Sequence, residues 1–440
     1  MRQDSVSVQD DSPPVAAYSE ELLSEVSEAV RDAWKTNYVG NSHDLLREAM
    51  NDMYIKSAKK PYGNFCPIIQ GSGTGKSRLV DKLSESVFAI PIILRPDEDK
   101  SGFPLGDIAN GKSLVNFFCG FKMEPALDVQ RRYLLFLLKT IAFADRWIDE
   151  QKSKGVELER LAELWKTHLG DPQSKVRIDM YTAAISEAPL KGLDDVLKMD
   201  VAFDVIQKKV RNYIKSVSEK IKPSGIKSRP AILFYFDEAH HLTKVTVTTG
   251  VPDRTAYQCL CKAFTYMTDA PVFTLFLSTY SRLSESAPIV RNFWSSRPKS
   301  SQSAESDDNL NAPFVELPFD TWKNPILVTE GSHSTEEICS LKFMARFGRP
   351  LFWTLLEQSE SADEDSAMTY AMSKLQLHVE HSTREKPCDY VLNELIPLLA
   401  ARVDLTFESN RDEAVYLEGL LVASSMRTVY SVPQHRQYLR

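Results

Sequence analysis

Three glycines within five residues, Gly71, Gly73 and Gly75, followed at once by Lys76 and Ser77, constrain this chain more than any other feature. The string Gln70-Gly-Ser-Gly-Thr-Gly-Lys-Ser77 stands between two patterned segments. Before it, Phe65 to Gln70 is a short apolar run that reads as a strand; after it, Leu79, Val80, Leu83 and Val87 fall at helical spacing. A strand, a glycine-rich turn and a helix in that order gather backbone N–H groups and the positive end of a helix dipole around one point. Such a point suits a phosphate group. Lys76 is then expected to bridge the β- and γ-phosphates of a nucleotide, and the Ser77 hydroxyl to ligate Mg2+. The expected nucleotide-binding set is Gly71, Ser72, Gly73, Thr74, Gly75, Lys76, Ser77 and Arg78. The string departs from G-x-x-x-x-G-K-[ST] at one place, where Gln70 stands for the first glycine. A chance Gly/Ser turn ahead of a helix is the competing reading.

Another apolar run, Ala231 to Phe236, ends in Asp237-Glu238-Ala239-His240-His241. Two carboxylates at the end of a buried strand fit paired roles beside a phosphate loop. Asp237 would hold Mg2+ through its water shell, and Glu238 would orient and polarise an attacking water. An acidic pair that merely caps the next turn is the alternative. His240 and His241 leave the strand side by side, so they are expected to point in opposite directions. No third ligand is spaced nearby, so zinc is not expected, and His240 is read instead as a relay of the γ-phosphate state.

The 440 residues suggest two or three domains. Lys plus Arg number 53 against 60 Asp plus Glu, a net charge of −7 that argues against a general polyanion binder. The six cysteines are scattered with no C-x-x-C pair, which argues against a disulfide framework or a structural zinc site. Met1 to Pro14 lacks the pattern of a signal peptide, and the most apolar run, Tyr133 to Ala144, falls short of the roughly 20 residues a membrane span needs. An intracellular protein, cytoplasmic or nuclear, with no membrane partner is expected. Apolar runs at Phe65–Gln70, Val87–Leu94, Ala231–Phe236, Val272–Leu277 and Phe314–Phe319 read as strands, and Pro67 counts against a central place for the first. Helices are expected where Leu22, Leu23, Val26 and Val30 recur, and again at Leu45, Leu46, Met50 and Met53. Others are expected over Ala126–Gln151 and over Val201–Val217, the latter with Val205, Ile206, Val210, Tyr213 and Ile214 on one side. The fold class is therefore α/β, a parallel sheet sandwiched by helices. The expected organisation is a disordered start at 1–17 and N-terminal helices at 18–60. An α/β domain follows at 61–325, with a helical insertion about 100–225 and a mobile loop about 295–312. A helical domain at 326–440 completes the chain.

The strings Q-G-S-G-T-G-K-S, F-D-E-A-H-H-L, L-P-F-D and F-G-R-P-L together resemble the P-loop ATPases with an added catalytic glutamate, a class that includes AAA+ and STAND proteins. They look most like the NTPase module of crinkler-type proteins of fungi and oomycetes, over about residues 60–360. The resemblance implies ATP and Mg2+ as cofactors and a helical lid over the nucleotide. It implies that Thr279, after the Val272–Leu277 strand, senses the γ-phosphate beside the catalytic Lys76 and Glu238. Arg349, in Phe347-Gly348-Arg349-Pro350-Leu351, takes a sensor-2-like role from the start of the lid. Ordinary strand-end and helix-opening positions are the plain alternatives for these two residues. Arg282 follows Thr279 closely and either faces the phosphates or is solvated. Two features depart from the family. There is no L-F-L-A-K header, so host-directed secretion is not expected, and no nuclease motif precedes Arg440.

The leading functional expectation is an ATPase that drives a regulatory or remodelling switch. A nucleotide-gated interaction protein with negligible turnover is the alternative, with the insertion as its partner surface. A DEAH-type helicase is disfavoured, because the span from Lys76 to Asp237 is long and no Q-x-x-G-R-x-G-R element follows. The expected partners are a nucleotide and a protein of unknown identity. Charge does not indicate nucleic acid, and self-association is left open. Base contacts are expected from residues 34–64. Lys56, Lys59 and Lys60 there read as a solvated cluster.

Overall fold

The computed structural model describes residues 30–56, 63–99, 102–121, 124–186, 203–222, 229–247, 254–279, 311, 313–317 and 331–358. Helix α1 (Ser42–Lys56) precedes strand β1 (Phe65–Ile69), helix α2 (Lys76–Leu83) and strand β2 (Ala89–Ile93). A run of helices follows: α3 (Ala126–Ser153), α4 (Leu161–Leu169), α5 (Lys175–Ile185) and α6 (Phe203–Ile221). Strand β3 (Ile232–Asp237), helix α7 (Ala256–Thr265), strand β4 (Val272–Ser278) and helix α8 (Pro350–Gln358) complete the main elements. The molecule is α/β, with four parallel strands in the order β1-β4-β3-β2 and helices on both faces.

Every residue of the four strands is buried, as continuous apolar runs require in a sheet covered on both sides. The two-residue period sorts their side chains. Cys66, Ile68, Leu233, Tyr235, Leu275 and Leu277 pack under Leu46 and Met50 of α1 and Leu79, Val80 and Leu83 of α2. On the opposite face Ile90, Ile92, Phe234, Phe236 and Phe276 join the larger cluster built from α3 to α7.

Both strand prolines lie on the outward side of an edge strand. The carbonyl of Asn64 and the N–H of Gln70 bond to β4, so the alternate residues Phe65, Pro67 and Ile69 face away from it. The same parity turns Pro91 of β2 outward, because the Phe88 carbonyl and the Leu94 N–H bond to β3. Neither proline therefore removes a ladder bond within the sheet. The segment expected as a fifth strand, Phe314–Phe319, does run beside β1 over its described part, 314–317, but it forms no ladder there. Phe314 N donates to the Pro67 carbonyl (3.0 Å), and the missing N–H of Pro67 can return nothing. Asn311 Nδ2 caps the Phe65 carbonyl instead (3.0 Å).

Over its described residues the insertion is largely helical, as its patterning implies, apart from one hairpin. Ile108–Ala109 and Lys112–Ser113 pair antiparallel around Asn110 and Gly111, both at positive φ. This is the Asn-Gly hairpin turn. The insertion packs on the sheet: Trp165 Nε1 donates to the Ala89 carbonyl on the outer edge of β2 (2.9 Å), and Lys166 pairs with Asp81 (2.7 Å) beside α2. A fully buried pair holds the end of β2. Arg177 Nε lies 2.6 Å from Asp107 Oδ1, while Asp107 Oδ2 accepts from Arg177 Nη2 (2.9 Å) and from Ile93 N (2.7 Å).

Two expected core positions are corrected. Val205 is 40% exposed, because the buried line of α6 runs through Ile206, Val210, Ile214, Val217 and Ile221, with Val205 on its far side. Leu45 is likewise exposed, while Leu46 and Met50 are buried. No described helix is long and apolar enough to cross a membrane. The expected features at 1–29, 295–310 and 359–440, with Arg282, Lys59 and Lys60, lie outside the described residues.

Candidate functional site

The glycine-rich string forms the turn between β1 and α2. Gly73 and Gly75 take φ of 78° and 87°, where a side chain is disfavoured. Thr74 Oγ1 donates to the Gly71 carbonyl (3.1 Å) and closes the turn. Gly75 caps α2 without a side-chain bond, leaving the first N–H groups of the helix to an external acceptor. Lys76 is buried, and its Nζ donates to the carbonyls of Gln70 (2.6 Å) and Gly71 (2.9 Å). Burial pulls the Lys76 pKa down to about 8; Glu238 and Asp237 oppose this, and Arg349 and Arg95 add to it.

Asp237 ends β3, and Glu238 begins the following turn at φ 55° and ψ 38°. A left-handed backbone at a residue with a side chain costs about 1–2 kcal/mol, and such strain collects at functional sites. Asp237 Oδ1 accepts from Glu238 N (2.9 Å), whereas its buried Oδ2 has no hydrogen-bond partner among the described residues. Burial and the neighbouring Glu238 push the Asp237 carboxyl up, against the Ser77 hydroxyl, Arg95 and Lys76. Glu238 goes the other way. Burial works against its charge, but Arg95, His240 and Lys76 outweigh that and hold it well below the usual carboxylate range.

The Glu238 carboxylate is held from three sides. Arg95 Nη2 donates to Oε1 (2.9 Å), Thr279 Oγ1 to Oε2 (3.3 Å), and His240 Nδ1 lies 3.3 Å from Oε2. Thr279 thus meets Glu238 across the ends of β4 and β3. The two histidines do not point apart: their ring centroids lie 4.1 Å from each other, with the planes tilted by 35°. The chain enters a 3-10 turn at Ala239–Lys244, so the alternation of an extended strand no longer applies. Burial and His240 push His241 down to about 4.

Arg349 sits just before α8, fully buried. Its Nη1 donates to the Ser72 carbonyl (2.9 Å), and burial lowers its pKa to about 10. It therefore grips the glycine loop from behind and is not among the residues lining the cavity. Leu351 N donates to the Gly73 carbonyl (3.3 Å) and completes the contact between α8 and the loop. Arg78 turns toward the N-terminal segment, donating to the Ala33 carbonyl (2.7 Å) and Thr36 Oγ1 (2.9 Å).

A cavity of about 460 Å³ opens over these groups. Lys76, Ser77, Asp237, Glu238 and Thr279 line it together, with Gly73 and Gly75 at the loop. Lining residues that the sequence reading did not single out include Arg95 and Phe103; Trp34, from the segment 34–64 expected to contact the base, lines it too, in edge-on contact with Phe103 at 5.2 Å. Arg95 had a signal. It directly follows the apolar run of β2, the same kind of position as Asp237 and Thr279 on their strands. Among the described residues no three His, Cys, Asp or Glu side chains group as a metal site. Mg2+ asks for less, since it keeps most of its waters and takes one or two protein oxygens. The unpartnered Asp237 Oδ2, with the Ser77 hydroxyl lining the same cavity, fits that demand.

Comparison with protein-family models, curated proteins and solved structures finds no match to this chain.

Proposed function

We propose that the protein binds ATP with Mg2+ in this cavity and hydrolyses it, and that the nucleotide state is passed on as a regulatory or remodelling switch. One observation carries the reading: Glu238 is kept ionised beside a glycine-rich loop and its buried lysine, at the carboxyl ends of parallel strands β3 and β1, which flank β4. A carboxylate so placed can accept a proton from water. The water oxygen bonds to the γ-phosphorus, the bond to the bridging oxygen breaks, and ADP leaves with that oxygen. Lys76 exchanges its carbonyl partners for β- and γ-phosphate oxygens, and the N–H groups of the loop neutralise developing charge. Ser77 and Asp237 would hold Mg2+, which supplies further charge stabilisation. Thr279 positions the Glu238 carboxylate. Arg349 and Leu351 tie α8 to the loop, so a change in loop shape on binding moves the helix. The resemblance to crinkler-type NTPase modules agrees with this reading.

A second reading, a nucleotide-gated interaction protein with negligible turnover, draws support from the ion pair between Glu238 and Arg95, which occupies the base. Turnover by the wild type beside Lys76→Ala and Glu238→Gln tests both. Glu238→Gln is expected to keep ATP binding and to lose turnover by about two orders of magnitude or more. Lys76→Ala is expected to lose binding. Unchanged turnover in Glu238→Gln removes Glu238 from the chemistry. Binding without turnover in the wild type favours the second reading.

A further inference from the structure

Arg95 is a buried cation whose surroundings are built around it. Its Nε donates to the Pro104 carbonyl (3.1 Å), Nη1 pairs with Asp99, and Nη2 pairs with Glu238 (2.9 Å). Its own carbonyl accepts from Ser113 Oγ (2.6 Å). A Cβ on Gly102 would strike the guanidinium, and one on Gly106 would strike the Arg95 carbonyl, so both glycines let the chain close around this residue. The side chain nevertheless lines the cavity with Lys76, Ser77 and Glu238.

A structural arginine needs only its partners. Arg95 has partners of two kinds. Asp99 and the Pro104 carbonyl belong to its own segment, and Glu238 lies 143 positions away across the cavity. Releasing Glu238 leaves the guanidinium anchored by the other two while one N–H edge turns to the cavity. With Glu238 gone, Nη2 would face the cavity with no acceptor, and the half-exposed Asp99 would be the one carboxylate among the described residues left on the buried guanidinium. An anion is the group best suited to take the place of Glu238 on Nη2, and a planar fork of donors suits a phosphate.

We infer that Arg95 is a catalytic phosphate ligand acting within one chain: its Nη2 leaves Glu238 for an oxygen of the terminal phosphate when a nucleoside triphosphate binds. The exchange does two things at once. It places a fixed positive charge where negative charge accumulates as the γ-phosphoryl group is transferred. It also frees Glu238 Oε1, leaving Thr279 and His240 on Oε2, so the carboxylate gains an open oxygen for water. A diphosphate lacks the terminal group and leaves the Arg95–Glu238 pair in place. The site then distinguishes the triphosphate from the diphosphate by charge.

This inference rests on the nucleotide reading above, and one titration separates the two. Affinities for ADP and for the β,γ-imido analogue of ATP, each with Mg2+, are measured by calorimetry on the full chain as wild type, Arg95→Ala and Arg95→Lys. The expected result is a loss of about ten- to a hundredfold for the analogue in Arg95→Ala, the size of one charge-assisted hydrogen bond. ADP affinity stays within about twofold, and Arg95→Lys recovers part of the loss. If the wild type binds both nucleotides and Arg95→Ala weakens neither, or weakens both alike, the inference fails alone. A parallel loss in both variants places Arg95 in loop packing only. A wild type that binds neither nucleotide overturns the nucleotide reading and this inference with it.

Discussion

The contact between α8 and the glycine loop can be tested with one methyl group. Gly73 stands at φ 78°, and a Cβ built there would lie 3.1 Å from Leu351 Cδ2 and 3.2 Å from Leu351 Cβ. Relaxed carbon contacts fall near 3.5–4.0 Å, so one side must give way. Gly73→Ala is therefore charged twice. The left-handed backbone costs about 1–2 kcal/mol, and the overpacked contact adds about 1–3 kcal/mol. Gly111 supplies the control. It has nearly the same backbone, φ 73°, and nothing within 4 Å of its would-be Cβ. Gly111→Ala should show the backbone cost alone. Urea unfolding of both variants gives the difference, and trimming Leu351 to alanine in the Gly73→Ala background should recover only the part due to Cδ2, since alanine keeps the Cβ at 3.2 Å. Gly73→Ala is also expected to weaken nucleotide binding, since Leu351 N bonds to the Gly73 carbonyl. Equal losses in Gly73→Ala and Gly111→Ala would refute the packing of α8 against the loop, and with it the route by which Arg349 reaches Ser72.

Two further outcomes are expected. Binding of a polyphosphate requires the charged form of Lys76, whose pKa of about 8 in the free protein lies below the usual lysine value. Affinity should hold below pH 8 and decline above it, by up to about tenfold per pH unit, while Lys76→Arg flattens the decline; a wild-type affinity that is level from pH 7 to 9.5 would contradict this. Asp107→Ala strands the fully buried Arg177 and should cost about 3–5 kcal/mol in chemical denaturation, whereas Asp107→Leu combined with Arg177→Met should recover much of it. A loss under about 1 kcal/mol in the single variant would mean the pair is solvated.

The legible parts of the molecule were those with short-range causes. The central strands stand out because strands buried on both faces must be apolar throughout, and Pro67 correctly counted against a central place for its strand. Lys76, Ser77, Asp237, Glu238 and Thr279 converge because each sits at or just beyond the carboxyl end of a parallel strand, and those ends lie together. Arg95 obeys the same rule, yet an arginine after a strand means little until its partner 143 positions away is known. The hairpin at Asn110-Gly111 carried a clear turn signal inside a stretch read as helical. The histidine pair was misjudged because the local backbone changed from strand to 3-10 turn one residue earlier. Val205 failed for a simpler reason: one residue on a helix moves a side chain by about 100°, enough to turn it from core to solvent.

The strand order also governs when the molecule can be assembled. β1 and β2 are neighbours in the chain, separated by the glycine loop and α2, but they stand at opposite margins of the sheet. The strands that fill the gap, β3 and β4, are encoded far downstream. Phe65 takes its place only beside Thr274, and Ala89 only beside Leu233. A chain made from its N-terminus thus produces the loop and its helix early and must keep both margins unpaired while the long helical insertion is synthesised. Closing so wide a loop is entropically costly and slow. Until Ser278 has been made, a growing chain carries the glycine turn without its floor: Glu238 has no β4 to set its strand beside the loop, and Thr279 does not yet exist.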